Sequence, residues 1–160
     1  MISQAQVMQV LEPWLGARLI QALMPTLADI ADRLNGASPR QDLNALAQEM
    51  DSLLFRAVHQ ATRGTMLIQL PDDTWVRSRV EDYAVMADEL LGLALDELPV
   101  DAEHLLFLRS YALAHPSLSA LRVLYTRYAA LETKDELAAI ASVARGCYPP
   151  FRWRLWLAER

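Results

Sequence analysis

Apolar residues recur at helical spacing through most of the chain, and the breaks fall at Pro, Gly and short polar clusters. Ser3 followed by Gln6 has the form of a capping box, in which hydroxyl and amide side chains satisfy each other's free backbone N–H groups. It predicts a helix to about Glu12. Pro13 then ends or kinks the helix, and the pattern resumes from Trp14 to Met24. Thr26 is expected to cap a short helix with Leu27, Ile30, Ala31 and Leu34 on one face, with Asn35 and Gly36 as its left-handed stop. Ser38, Pro39 and Gln41 mark the next start. From there Leu43, Leu46, Ala47, Met50, Leu53, Leu54, Ala57, Val58 and Ala61 form a continuous stripe ending at Gly64. That helix is about 25 residues, or roughly 37 Å, long.

Residues 65–70 are the one stretch that reads as extended, centred on Met66 to Leu70. Pro71 to Thr74 is expected to turn and then cap a second long helix, with Val76, Val80, Tyr83, Ala84, Ala87, Leu90, Leu91, Ala94 and Leu98 inward and Pro99 as its stop. Asp101 caps Ala102 to Ala114, which His115 and Pro116 break. Ser117 starts a helix with Leu121, Leu124, Tyr125, Tyr128 and Leu131 inward. Thr133 to Glu136 repeats the capping-box form, and Gly146 ends the helix it opens. Pro149 and Pro150 precede a final short helix through Leu157. The expectation is an all-α, single-domain bundle over residues 1–160, with seven or eight helices, short loops and helical-hairpin packing in the C-terminal half.

Composition agrees with this reading. There are 28 Leu and 24 Ala against 5 Gly, and Leu and Ala are strong helix formers. Helix spacing near 16 residues after residue 102 invites comparison with tetratricopeptide repeats. Tyr111 and Ala120 fit that motif, but His104, Leu108 and Glu132 stand where it has Trp, Gly and Pro, so the spacing reflects hairpin packing alone. Cys147 is the one cysteine, so the chain cannot form an internal disulfide. No uncharged apolar run approaches the ~18 residues of a membrane span, and the first residues lack the features of a secretory signal. A cytoplasmic location is the expectation. The net charge of −5 is uneven: residues 1–108 hold seven Arg against sixteen acids, and residues 109–160 hold eight cations against four acids.

The chemistry-bearing patterns are sparse. His59, His104 and His115 lack a second histidine at ligand spacing, and no Glu-x-x-His motif occurs, so neither a metal nor another cofactor is implied. Cys147 follows a helix C-terminus, where the dipole raises a thiol pKa instead of activating it. No Gly-x-Ser-x-Gly elbow or Gly-rich phosphate loop is present, and no catalytic residues are assigned. His59 and Arg63, four apart at the end of the long helix, are weighed as ligand anchors against an ordinary polar stripe. The densest cluster is C-terminal, where Tyr148, Phe151, Arg152, Trp153, Arg154 and Trp156 interleave cations with aromatic rings. Such residues dominate protein–protein hot spots, and they equally suit a segment folded back as a core cap. A sequence pI near 5.1 argues against nucleic acid, whose binders are usually basic.

These readings point to a non-catalytic adaptor, chaperone or assembly factor whose partner is another protein, with a second copy of the chain among the partners considered. The Arg-rich, Lys-poor composition suggests a bacterial origin and roles such as secretion-system accessory or regulator, by fold-level association only. The alternative is a small-molecule binder or enzyme with a pocket between helices. Helix Ala102 to Ala114, apolar nearly all round, is expected either at the bundle centre or beneath a partner.

Overall fold

The computed structural model describes residues 1–37, 42–115 and 117–128, with the isolated positions Asp135, Ala138 and Ser142. Of these residues 74% are helical, in seven helices, and the described sheet is one two-stranded hairpin. The protein is therefore all-α in class. Two compact units divide the chain, Met1–Ala94 and Leu95–Arg160.

In the first unit, α1 (Gln4–Leu15) opens on the expected capping box. Ser3 Oγ accepts from the Gln6 N–H at 3.2 Å, and Gln6 Oε1 accepts from the Ser3 N–H at 2.8 Å. Of the two outcomes expected at Pro13, an end or a kink, the end is not found: α1 runs through it to Leu15. Pro13 and Gln9 both lie on the exposed face, so water can reach the carbonyl that loses its donor to the proline ring. The helix stops at Gly16, whose φ of 81° only glycine adopts readily. Then follow α2 (Ala17–Ala22) and α3 (Met24–Asn35), separated by Leu23 alone. Thr26 lies inside α3 and does not cap it, because Pro25 occupies the first turn, where no N–H is required. Nor is Gly36 left-handed (φ −80°, ψ −8°). The Gly36 N–H reaches Asp32 O within a right-handed turn. Asn35 instead ties α3 to the N-terminus: its Oδ1 accepts from the Ile2 N–H at 2.7 Å, and its Nδ2 donates to Ile2 O at 2.8 Å.

Helix α4 (Leu43–Ala61) has 19 residues, shorter than expected. Asp42 caps it, accepting from the Asn44 and Ala45 N–H groups at 3.1 and 3.2 Å. The proposed start at Ser38, Pro39 and Gln41 lies outside the described residues. Its end is a Schellman arrangement with Arg63 N–H on Gln60 O and Gly64 N–H on His59 O. Arg63 (φ 52°), not Gly64, takes the first left-handed position.

Strands β1 (Leu67–Gln69) and β2 (Trp75–Arg77) pair antiparallel, with Leu67 opposite Arg77, Ile68 opposite Val76 and Gln69 opposite Trp75. The extended reading of residues 66–70 is thus realised, but the helix expected from Thr74 begins only at α5 (Val80–Asp96). Asp72 closes the loop, accepting from the Thr74 N–H at 3.0 Å, and so serves a turn instead of a helix start. Val76 belongs to β2, and of the expected inward stripe Tyr83, Ala87, Leu90, Leu91 and Leu98 are buried. Val80 and Ala84 are exposed, while Val85 and Met86, outside that stripe, are buried. Helix α1 packs on α2 and α3, α3 on α4, and α2 on both β1 and α4. Leu11, Leu15, Ile20, Leu27, Ile30, Met50 and Leu54 fill the space between them.

The second unit pairs α6 (Ala102–Ala114) with α7 (Leu118–Tyr128). Both caps match expectation: Asp101 accepts from the His104 N–H at 2.8 Å, and Ser117 Oγ accepts from the Ala120 N–H at 3.0 Å. Leu108 and Ala112 of α6 and Leu121, Val123 and Leu124 of α7 are buried. Helix α7 also holds the connection ahead of α6. The Tyr128 hydroxyl donates to Pro99 O at 3.2 Å and accepts from the Asp101 N–H at 3.3 Å, while Arg127 donates to Leu98 O at 2.6 Å. Leu131, the capping box at Thr133 to Glu136 apart from Asp135, Gly146 and the final segment lie outside the described residues.

Candidate functional site: a groove beside the hairpin

The hairpin turns two faces in different directions, as the alternation of a strand requires. Ile68 faces the interior and is buried. Leu67 and Trp75, on the opposite face, are 47% and 55% exposed. Beside them α2 contributes Arg18, Leu19 and Ala22, and the end of α4 contributes Ala61, Thr62 and Thr65. Together with Gln69 they enclose a groove of about 350 Å³. Its chemistry is mainly apolar, with Arg18 as the charged member of the lining.

The walls of this groove are held by backbone, not by long side chains. At Gly16 an added Cβ would overlap the carbonyl oxygen of Gln69, so the α1–α2 corner and β1 touch with no side chain between them. From α4 to β1 the chain passes through Arg63 (φ 52°), Gly64 (φ 80°) and Met66 (φ 55°). The two non-glycine residues there cost roughly 1–2 kcal/mol each. Thr62 steadies the link, its Oγ1 donating to Val58 O at 2.7 Å and accepting from the Met66 N–H at 3.1 Å. Thr65 Oγ1 donates to Thr62 O at 2.9 Å. Behind the hairpin, Ser78 Oγ lies 3.2 Å from Met66 O, to which it can donate, and 2.8 Å from the buried Tyr83 hydroxyl, a bond in which either oxygen can be the donor. Burial pushes the Tyr83 phenol above its ordinary pKa of 10.0, and the bond to Ser78 partly offsets that rise.

A second hollow of about 340 Å³ lies between the middle of α4, at Asp51, Ser52, Phe55 and Arg56, and Val80 at the start of α5. Burial raises the Asp51 carboxyl above its ordinary 3.8. Phe55 meets Tyr83 edge to face at 5.4 Å beside it.

The anchors considered from sequence are arranged differently. His59 lies in the last turn of α4, stacked on Phe55 at 6.2 Å, with Gly64 close to its ring. Arg63 is past the helix end in the left-handed link and exposed. The two share no helix face, and neither lines the groove. Tyr148, Phe151, Arg152, Trp153, Arg154 and Trp156 lie outside the described residues. Among the described residues no set of three or more His, Cys, Asp or Glu is placed to hold a metal ion. No described helix is long and apolar enough to cross a membrane.

Comparison with protein-family models, curated proteins and solved structures finds no match.

Sequence reasoning missed Arg18 and Trp75 as site residues. Trp75 carried a signal, since Trp75-Val76-Arg77 alternates as β1 does. Arg18 carried none, because nothing local brings it to a strand some fifty residues on.

A surface of another kind lies in the second unit. Along α6 the exposed positions are Ala102, Glu103, Leu106, Ser110, Leu113 and Ala114, one side of a helix. Leu106 and Leu113 are 60% and 52% exposed. Phe107, Tyr111 and His115 form a ring series along another side of the helix, with Phe107 and Tyr111 stacked at 6.4 Å and Tyr111 and His115 tilted to each other at 5.5 Å.

Proposed function

We propose that the protein is a non-catalytic, cytoplasmic adaptor or assembly factor that binds another protein through the outer face of α6. One observation carries the reading: Leu106 and Leu113, two turns apart on one face, stay open to solvent while the opposite face is buried. Two large apolar side chains roughly 10 Å apart along a helix, with Ser110 as the exposed residue between them, suit a helix-in-groove or helix-on-helix contact. The C-terminal Arg and aromatic residues, with Trp153 and Arg154 foremost, belong to the same reading as a second contact region.

The experiment compares the full chain with the double variant Leu106→Glu, Leu113→Glu in affinity capture from the native cytosol and in native mass measurement. Both positions face water, so melting temperature should change little. The expected result is a partner, or a second copy of the chain, retained by the parent and lost in the variant. Equal retention by both proteins, or no specific retention by the parent, overturns the proposal.

A further inference from the structure

We propose that the groove of the first unit binds a soluble amphipathic carboxylate, with its apolar chain between Leu19, Ala22 and Trp75 and its carboxylate on the Arg18 guanidinium. This inference is independent of the α6 surface and rests on different residues.

Three features of the groove select this class of ligand. Size is the first: about 350 Å³ falls at the lower end of small-ligand pockets, and a protein interface needs roughly 800 Å² from each partner. Charge is the second. The chain has a net charge of −5, yet the lining includes Arg18 and no acid. A cationic ligand would meet Arg18 across an apolar surface. A carboxylate can instead accept paired N–H donors from the guanidinium plane. The third feature is the state of the other polar groups. The Thr62 and Thr65 hydroxyls already donate to Val58 O and Thr62 O, which leaves Arg18, the Gln69 amide and the Trp75 indole N–H as side-chain donors to a ligand, Arg18 alone carrying charge.

The apolar part of the ligand has its own driving force. Leu67 and Trp75 present large surfaces to water at the groove wall, and covering such surface is favourable in proportion to its area. The groove is also formed before any ligand arrives. The backbone contact at Gly16 and the threonine bonds at Thr62 hold its walls, so little ordering cost falls on binding.

The probe is decanoate below its micellar concentration, titrated calorimetrically into the full chain, with decanol and decylamine as matched neutral and cationic chains. The expected result is saturable binding of one decanoate per chain, with decanol about tenfold weaker or more and decylamine weaker still, as loss of a charge-assisted pair implies. Arg18→Gln should bring decanoate down to the level of decanol and leave decanol unchanged. Ala22→Trp, at an exposed position, should fill the groove and abolish binding of both chains. Melting temperature checks that each variant is folded. The proposal is overturned if decanoate gives no saturable heat, if Arg18→Gln binds it as tightly as the parent, or if folded Ala22→Trp still binds. Binding seen only with decanoate presented in phospholipid vesicles would likewise overturn it, since the source would then be a membrane surface.

Discussion

At the scale of single residues, Gly16 bears two constraints that are usually separate. Its φ is left-handed, and the space beside its Cα is filled by the carbonyl of Gln69. A flexible neighbour could move away from an added methyl group; a strand carbonyl cannot do so without lifting β1. Gly16→Ala should therefore destabilise the chain by about 2 kcal/mol or more, beyond the ordinary cost of alanine at positive φ. Gly36→Ala is the control, because its backbone is right-handed and its nearest neighbours lie at 3.4 Å or more. Urea unfolding of the two variants beside the parent checks the difference, and equal midpoints for both would show that the contact is not structural.

Among elements, legibility in the sequence follows how local the deciding chemistry is. The caps at Ser3, Asp101 and Ser117 were readable because donor and acceptor lie within three residues of each other. The bounds of α6 were readable for the same reason. Failures came where one residue type serves two local purposes. Asp72 binds a backbone N–H two residues on, which describes a helix cap and an Asx turn equally well until strand pairing decides. Thr26 resembled a cap, and Pro25 displaced the start ahead of it. Asn35 resembled a stop signal, yet its amide is committed to Ile2, 33 residues away. The groove was the least legible part. Its walls come from α2, the end of α4 and the hairpin, and no periodicity links them.

For the molecule as a whole, charge is divided along the chain in a way the fold class does not explain. The acidic excess lies in residues 1–108 and the basic excess in residues 109–160, where Arg and aromatic residues interleave. A protein contact and a nucleic-acid contact make opposite demands on that basic segment. If it contacts protein, Trp153→Ala with Arg154→Ala should weaken partner binding by at least ~2 kcal/mol with little change in melting temperature. The parent should show no salt-dependent affinity for single-stranded nucleic acid. A steep fall of such affinity with salt would assign the segment to phosphate contacts instead. A stability loss of ~3 kcal/mol with unchanged partner binding would assign it to the core.

The bond between Tyr83 and Ser78 also makes the hairpin a clock that alkali can start. The folded phenol titrates above 10.0 because burial disfavours its anion. The unfolded chain therefore ionises first as pH rises past that value, and the stability held by Tyr83 falls from there upward. We expect ionisation in the folded protein to require Ser78, and the hairpin ahead of it, to move away from the phenol. After a rapid jump to alkaline pH, tyrosinate absorbance should thus appear in an immediate phase from accessible rings and a delayed phase whose rate is that of hairpin opening. Tyr83→Phe should reduce the amplitude of the delayed phase by one tyrosine and leave any contribution from Tyr128, which is also buried. If the amplitude is unchanged in that variant, another tyrosine sets the rate.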